Sequence, residues 1–551
     1  MPERSLEGIQ VVETPVQEQS IARTSAQLTA FVGRTLRGPI DRPVIVRSFA
    51  DFQQEFGGLW QPSPLSYAVE HFFEQGGRNA VIVRVANSAA PVTLSLRCGR
   101  ETLQLEARAP GTREFLRASI DYDNVDPEDH QRFNLVVQRV RSPGSERIEE
   151  QETFRGLSID PASPRFVTSA LLESDLVRVR DAVPGIRPDR TLVPGTNLPV
   201  GYVSSNPDGS DGLPLTDYDV IGSATRRSGL FALEDVEDLA FVYVPPLTRL
   251  TDIGVSVLLV AARFCRQRRA MLIVDPPATW DTPADLVRAL KALNFQSDTA
   301  LMFFPRIVAT DRLRGRPEVF ANGGAVAGLL SRTGEAVSAV VTARDPEPLL
   351  RAGTKLARDV ASSDRWRLAS HGVNVLHAVR SPDRERPALR TLACGASPSS
   401  DWSYLSRRRF ALFTINAIER GTRWAAAHPG DLRIWDRVAH QVRTFLAELH
   451  MAGAFAEAPG EQAYMVICDD RINDIADAHV VNILVQFAAA HAGEYHSFMI
   501  SHSPHGTTVR PVAVNRLEAS LIVSHELEQE ITIRLEPGAD GWRLIDDERI
   551  Q

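Results

Sequence analysis

The sequence predicts an α/β fold, mixed α+β across several domains. It has a parallel-rich α/β core, a β-rich insertion inside that core, and a C-terminal α/β domain, with extended arms at both ends. Three observations predict it. Leu239 to Val308 runs strand, helix, strand, helix, strand, the alternation expected of parallel strands joined by helical crossovers. Asn87 to Asn206 holds strand-like runs between turns, with weak helical periodicity. Asp401 to Asn473 holds two long helical segments and then a strand.

Composition sets the frame. A chain of 551 residues, 43% apolar and 24% charged, has the balance of a soluble globular protein and room for about two to four domains. No apolar run approaches membrane-spanning length. The start, MPERSLEGIQ, lacks the basic and apolar regions of a secretory signal, so folding and assembly in the cytoplasm are expected, with release by cell lysis. A net charge of -8 argues against general nucleic-acid binding. Lys291 and Lys355 are the only lysines among 61 basic residues, and the arginines that make up the rest suit bidentate contacts at interfaces. Cys98, Cys265, Cys394 and Cys468 are far apart and form no CxxC pair; they are expected to be reduced and buried.

The elements follow in order. Residues 1–20 form an N-terminal arm, in which GIQVVETPVQEQ (Gly8 to Gln19) is extended and has little to pack against within its own domain. Residues 21–86 open the core. An apolar strand ends at Gly33, a turn follows at Arg37-Gly38-Pro39, and one helix stops at Gly57-Gly58 and a second at Gly76-Gly77, where left-handed caps favour glycine. Ala80 to Val85 then reads as a strand covered on both faces, interrupted only by Arg84. Residues 87–206 are the insertion, with VTLSLRC, ETLQLEARA, FLRASIDYD, FNLVVQRV and FVTSALL as strands and Asp121 to His130 as a loop. Val193 to Leu215, rich in Pro, Gly, Ser and Asp, is a linker.

Residues 207–390 continue the core. LAFVYVPP, AMLIVDPP and TALMFFPRIV are its strands, and HGVNVLHAV leads toward the C-terminal domain at residues 391–502. There WSYLSRRRFALFTINAIERGTRW is a helix stopped by His428-Pro429-Gly430. A second helix starts from Asp431 as N-cap and carries one apolar stripe of Leu432, Trp435, Val438, Val442, Phe445 and Leu449. AYMVICDD, VNILVQFA and YHSFMIS are strands. Residues 503–551 form an acidic extension, in which LEASLIVSH and EITIRLEP are strand-like.

No ordered set of residues carries enzymatic chemistry. A Walker loop and a GxSxG elbow are both missing. Gly323-Gly324 with Gly328 reads as a structural helix start, and Asp275 as a strand-end residue binding local amides. Asp469 and Asp470, beside Cys468 and Asn473, read as a turn or cap. His491, His496, His502 and His505 lack the HxxxH or HExxH spacing that places metal ligands on one helix face. No catalytic residue, metal site or cofactor is assigned. Three consecutive arginines, Arg407, Arg408 and Arg409, cannot share one helix face, so at least one points toward core or partner.

Taken in order and spacing, Leu28 to Val85 and Asp401 to Asn473 resemble the contractile tail sheath proteins of phage tails and related injection systems, and the resemblance extends over most of Gly8 to Ser501. It implies a structural subunit, not an enzyme. Copies stack as six-fold rings in a helical sheath around an inner tube protein and contract to drive that tube through a target envelope. Baseplate and tail-terminator or cap proteins are the other implied partners; nucleic acid and membrane insertion are not implied. By the same resemblance Ile9, Val11, Val12 and Val16 of the arm add to a neighbour's sheet. Ile483, Val485, Phe487, Phe498 and Ile500 lie on the strands that receive such arms, and Arg407, Arg408 and Arg409 contact the tube or a neighbour. The alternatives are an α/β hydrolase or nucleotide-binding enzyme with a β insertion, and another structural part of the same machine.

Overall fold

A central sheet organises the first part of the chain, in the order β19 (Val373–Val375), β14 (Ala300–Phe304), β13 (Met271–Val274), β12 (Leu239–Tyr243), β2 (Leu28–Gly33), β4 (Ala80–Arg84) and β3 (Val44–Val46). All neighbours are parallel except β3, which runs antiparallel to β4. The strands β4, β13 and β14 are buried at every position, Arg84 of β4 included, as apolar runs require when helices cover both faces. The computed structural model describes residues 20–22, 24–25, 27–193, 201–332, 337–338, 347–351, 353–379, 386–395, 401–427, 432–455, 463–474, 479–488, 495–515, 520–524, 530–538 and 541–544.

The helices start and stop where local chemistry dictates. In α1 (Phe49–Phe56) the Ser48 hydroxyl accepts from the Asp51 amide at 3.1 Å, and Gly57 closes the helix at φ 85°. In α2 (Pro64–Glu74) Ser63 caps and Pro64 occupies the first turn. The crossovers are α4 (Asp217–Ile221), α5 (Val255–Arg268), α6 (Pro283–Leu293), α7 (Gly323–Leu330) and α8 (Ser362–Ala369). Where α7 crosses α2, a Cβ on Gly324 would collide with the Ala68 carbonyl, and one on Gly328 with that of Phe72. The two glycines let the helix backbones touch.

The insertion folds as two facing sheets with their own core. One has the order β10 (Val177–Val179), β6 (Glu101–Ala107), β5 (Thr93–Cys98). The other has β11 (Val203–Ser204), β7 (Leu116–Asp121), β8 (Arg132–Val140), β9 (Ile148–Ser158). Leu94, Leu105, Phe133, Leu135 and Leu157 meet between them. Two expectations fail here. FVTSALL is a helical turn, α3 (Val167–Ala170), closed by Ala170 N–H to Phe166 C=O at 2.9 Å. The linker is partly built into the sandwich, since β11 pairs with β7 and Asp208 accepts from the Thr93 amide at 2.9 Å. The strand β9 was not anticipated. It is an edge strand whose Glu149, Glu150 and Glu152 blur any apolar alternation.

Charged groups join sandwich and core. Arg37 of the core pairs with Glu149 of the sandwich at 2.8 Å; Arg34 donates to the linker carbonyl of Asp211 at 2.9 Å, and within the core the buried Arg84 donates to the Gly38 carbonyl at 2.5 Å. A small sheet of β16 (Arg316–Phe320), β15 (Ile307–Asp311) and β18 (Lys355–Leu356) follows β14. Pro317 is tolerated because β16 is an edge.

A second unit gathers residues 20–25, 337–338 and those from 406 on. In it β1 (Thr24–Ser25) pairs with β17 (Val337–Ser338). Helices α9 (Leu405–Thr422) and α10 (Leu432–Met451) accompany an antiparallel sheet in sequence order: β20 (Tyr464–Ile467), β21 (Val481–Phe487), β22 (His496–Ser503), β23 (Gly506–Asn515), β24 (Ser520–Ser524), β25 (Glu530–Gly538) and β26 (Gly541–Leu544).

Candidate subunit-contact site

The second unit is built outward from an aromatic centre. Phe410 of α9 meets Phe455 edge-on at 5.4 Å and Phe487 of β21 at 5.9 Å, and Phe487 stacks on Phe498 of β22 at 6.1 Å. The stripe of α10, Trp435, Val438, Val442, Phe445 and Leu449, is buried as its spacing predicts. Ile483, Val485, Phe487 and Ile500 are at most 1% exposed and Phe498 is 8% exposed. These side chains are core. What an added strand could use is the backbone ladder.

The ladder is occupied on both sides of β21 and β22. β21 pairs with β20 and β22, and β22 pairs with β21 and β23. Among the described residues β20 and β26 each have one strand partner only, so the outer side of either edge is where a further strand can pair without displacing another. Adding next to β22 requires β23 to leave. The tight Ser503–Gly506 connection that brings β23 back was not anticipated, because Arg510 and Pro511 interrupt the strand pattern. The two expected strands of the acidic extension do form, as β24 and β25.

A polar clamp fixes β22 to α9. His502 is fully buried; its Nε2 lies 2.8 Å from the Thr422 hydroxyl and its Nδ1 2.8 Å from that of Thr507. Burial holds its pKa down at about 4, so the ring is neutral and bridges two hydroxyls. His491 lies outside the described residues. His496 stands on β22, and His505 in the turn before β23.

At the N-terminal side, Ile21 is 4% exposed and packs on α9, where a Cβ on Gly421 would meet it at 2.7 Å. Ile9, Val11, Val12 and Val16 lie outside the described residues, as do His428-Pro429-Gly430 and Asp431. Arg407 is half-buried, while Arg408 and Arg409 are 8% and 6% exposed, on a helix covered nearly all round.

The acidic residues at turns are used structurally. Asp275 follows β13, accepts from the Gly323 amide at 2.8 Å, and takes the Tyr243 hydroxyl as a second donor. Burial raises its pKa to about 6. It anchors the start of α7 from a neighbouring strand. Asp469 accepts from the Arg471 amide at 3.1 Å and from its guanidinium, closing the turn after β20. The four cysteines are buried free thiols. Among the described residues no group of His, Cys, Asp and Glu is arranged to hold a metal, and no helix is long and apolar enough to cross a membrane.

Comparison with solved structures decides the fold. The sheath tail protein Lin1278 of Listeria innocua superposes with a TM-score of 0.59, covering 88% of this chain and 97% of that one at 13% identity. The fold is that of a sheath tail protein. A sheath tail protein of Desulfitobacterium hafniense covers 90% of this chain and 100% of its own (10% identity, TM-score 0.49). The helical sheath of the anti-feeding prophage in its contracted state covers 89% and 98% (14% identity, TM-score 0.49). No protein-family model and no curated protein matches the sequence.

Proposed function

We propose that this chain is the structural subunit of a contractile sheath. Copies polymerise as six-fold rings in a helical array around an inner tube, and the array shortens to drive the tube through a target envelope. The likeness to the Listeria sheath tail protein, over 97% of that chain, carries the reading. It is supported by motifs at both ends of the chain and by a terminal sheet with an edge to which a strand can be added.

In this reading the arm with Ile9, Val11, Val12 and Val16 adds to the terminal sheet of a neighbouring copy. The strands bearing Ile483, Val485, Phe487, Phe498 and Ile500 are the interior of the sheet that receives it, their side chains holding that sheet on its own core. Main-chain hydrogen bonds give such a junction affinity without a deep pocket. Arg407, Arg408 and Arg409 then lie near the contacts with tube or neighbour. Baseplate and cap proteins bound the array at its two ends. Contraction sums a small shift at each of many identical interfaces, so stored assembly strain replaces a bound nucleotide as the energy source. The particle assembles in the cytoplasm and leaves by lysis.

The protein expressed alone and imaged in negative stain should form hollow cylinders. A monodisperse particle with no cylinders at high protein concentration would refute the reading.

A further inference from the structure

The outer face of α5 carries a pattern that its own core does not use. Val255, Leu259, Arg263 and Arg266 recur at three- and four-residue steps and form one exposed stripe, with Val255 and Leu259 each more than half exposed. The opposite side, with Val257, Leu258, Ala261 and Cys265, is buried in the core. The helix holds three arginines and no acidic residue. Its apolar end is extended by α4. The Asp217 carboxylate accepts from the Gly254 amide at 3.0 Å and from the Ser256 hydroxyl at 2.8 Å. That junction sets Tyr218, 84% exposed, at the same end of the stripe.

Exposed apolar residues grouped in this way, with arginine at the rim, mark a protein contact. The surface that fits them offers an apolar knob with carboxylates beside it. The chain carries such a surface at a corner of its sandwich. In the turn Leu171–Glu173, Leu172 is 72% exposed, and Glu173 and Asp175 are exposed next to it. The turn is pinned to β9, where Glu152 accepts from the Asp175 amide at 2.8 Å and from the Ser174 hydroxyl. Arg42 approaches Asp175 only at 3.8 Å, with both side chains mostly in water, so that pair is weak and easily exchanged for a better one.

We propose that a second copy of this chain covers the α5 face. The corner of Leu172, Glu173 and Asp175 on one copy meets Tyr218, Val255 and Leu259, with Arg263 and Arg266, on the next. The two patches differ, so each copy keeps one of them open to a further neighbour. Repeated, such a contact gives a ring or an open helix. Opposite charges fix its register and speed encounter. The inference rests on the proposed sheath function and adds to it a contact made by the α/β unit, with residues other than those of the terminal sheet.

Self-association of the full-length protein, read by sedimentation velocity and negative stain over a concentration series, tests it. Reversing the basic side (Arg263→Glu with Arg266→Glu) or the acidic side (Glu173→Arg with Asp175→Arg) should raise the concentration needed for assembly about tenfold or more, with an unchanged thermal melt. All four reversals together should bring it back to within about threefold of wild type. If a reversal lowers the melt, Leu259→Gln decides, and it too should weaken assembly. Assembly at the wild-type concentration after either reversal, or after Leu259→Gln, overturns the contact. A fourfold variant no better than the one-sided variants overturns the pairing of these two patches. A wild-type chain that stays monomeric overturns the sheath function and this contact together, whereas cylinders indifferent to the reversals overturn this contact alone.

Discussion

The central sheet and the terminal sheet each have seven strands, but they are completed in different ways. Central strands are short, β4 and β14 having five residues each, and the edges β3 and β19 have only three. The chain itself supplies every crossover helix among the described residues. The terminal sheet has longer inner strands, eight residues in β22 and ten in β23, between edges of four, β20 and β26. It grows by antiparallel addition of one consecutive segment after another. A strand from another copy would add by the same chemistry. The contrast separates a domain closed by its own connections from one whose sheet can be extended.

The largest effect should come from breaking the closed domain. Gly324→Leu forces a side chain into the α2 backbone; a loss of about 3 kcal/mol or more is expected, read as missing soluble protein or a sharply lowered urea midpoint. Phe487→Ala, at 0% exposure in the terminal unit, should cost about 3–5 kcal/mol. Urea unfolding followed by limited proteolysis should show the loss confined to the terminal unit.

The two units should also respond differently to pH. Glu70 of α2 is 4% exposed at its side chain, 3.1 Å from Arg312, and burial raises its pKa to about 7 against an ordinary 4.5. Arg312 opposes that rise, whereas Glu74 and Asp311 add to it. The folded protein therefore holds this proton more tightly than the unfolded one. Its contribution is complete below pH 4.5 and is lost as pH rises through 7. Glu70→Gln should raise stability by about 1–3 kcal/mol at pH 8 and by little at pH 5, measured as the difference in urea midpoint from wild type. His502 has the opposite sign. Its pKa is depressed to about 4, so its contribution is present above 6.5 and is lost as pH falls toward 4. His502→Gln should reduce the acid sensitivity of the terminal unit by about 1–2 kcal/mol between pH 7 and pH 4.5, followed by proteolysis at each pH.

Much of this was legible in the sequence, for identifiable reasons. Apolar runs such as MLIV and ALMFF, and glycine stops such as Gly57, are local signals, and the structure puts strands and a helix end there. Asp275 and Gly323-Gly324 were read as structural, and they meet each other. The charged edge β9, the Pro-containing β16 and β23, and the three-residue β3 escaped because tertiary pairing decides them. That β21 and β22 are interior could not be read either, since strand order depends on where β20 and β23 dock.

The central claim is that copies are joined through terminal segments added to one another's sheets. Deleting residues 1–19 tests this most directly, with negative-stain microscopy and a thermal melt on the same sample. The account predicts a folded protein with an unchanged melt that forms no long tubes. Tubes of normal length from the truncated chain would contradict it.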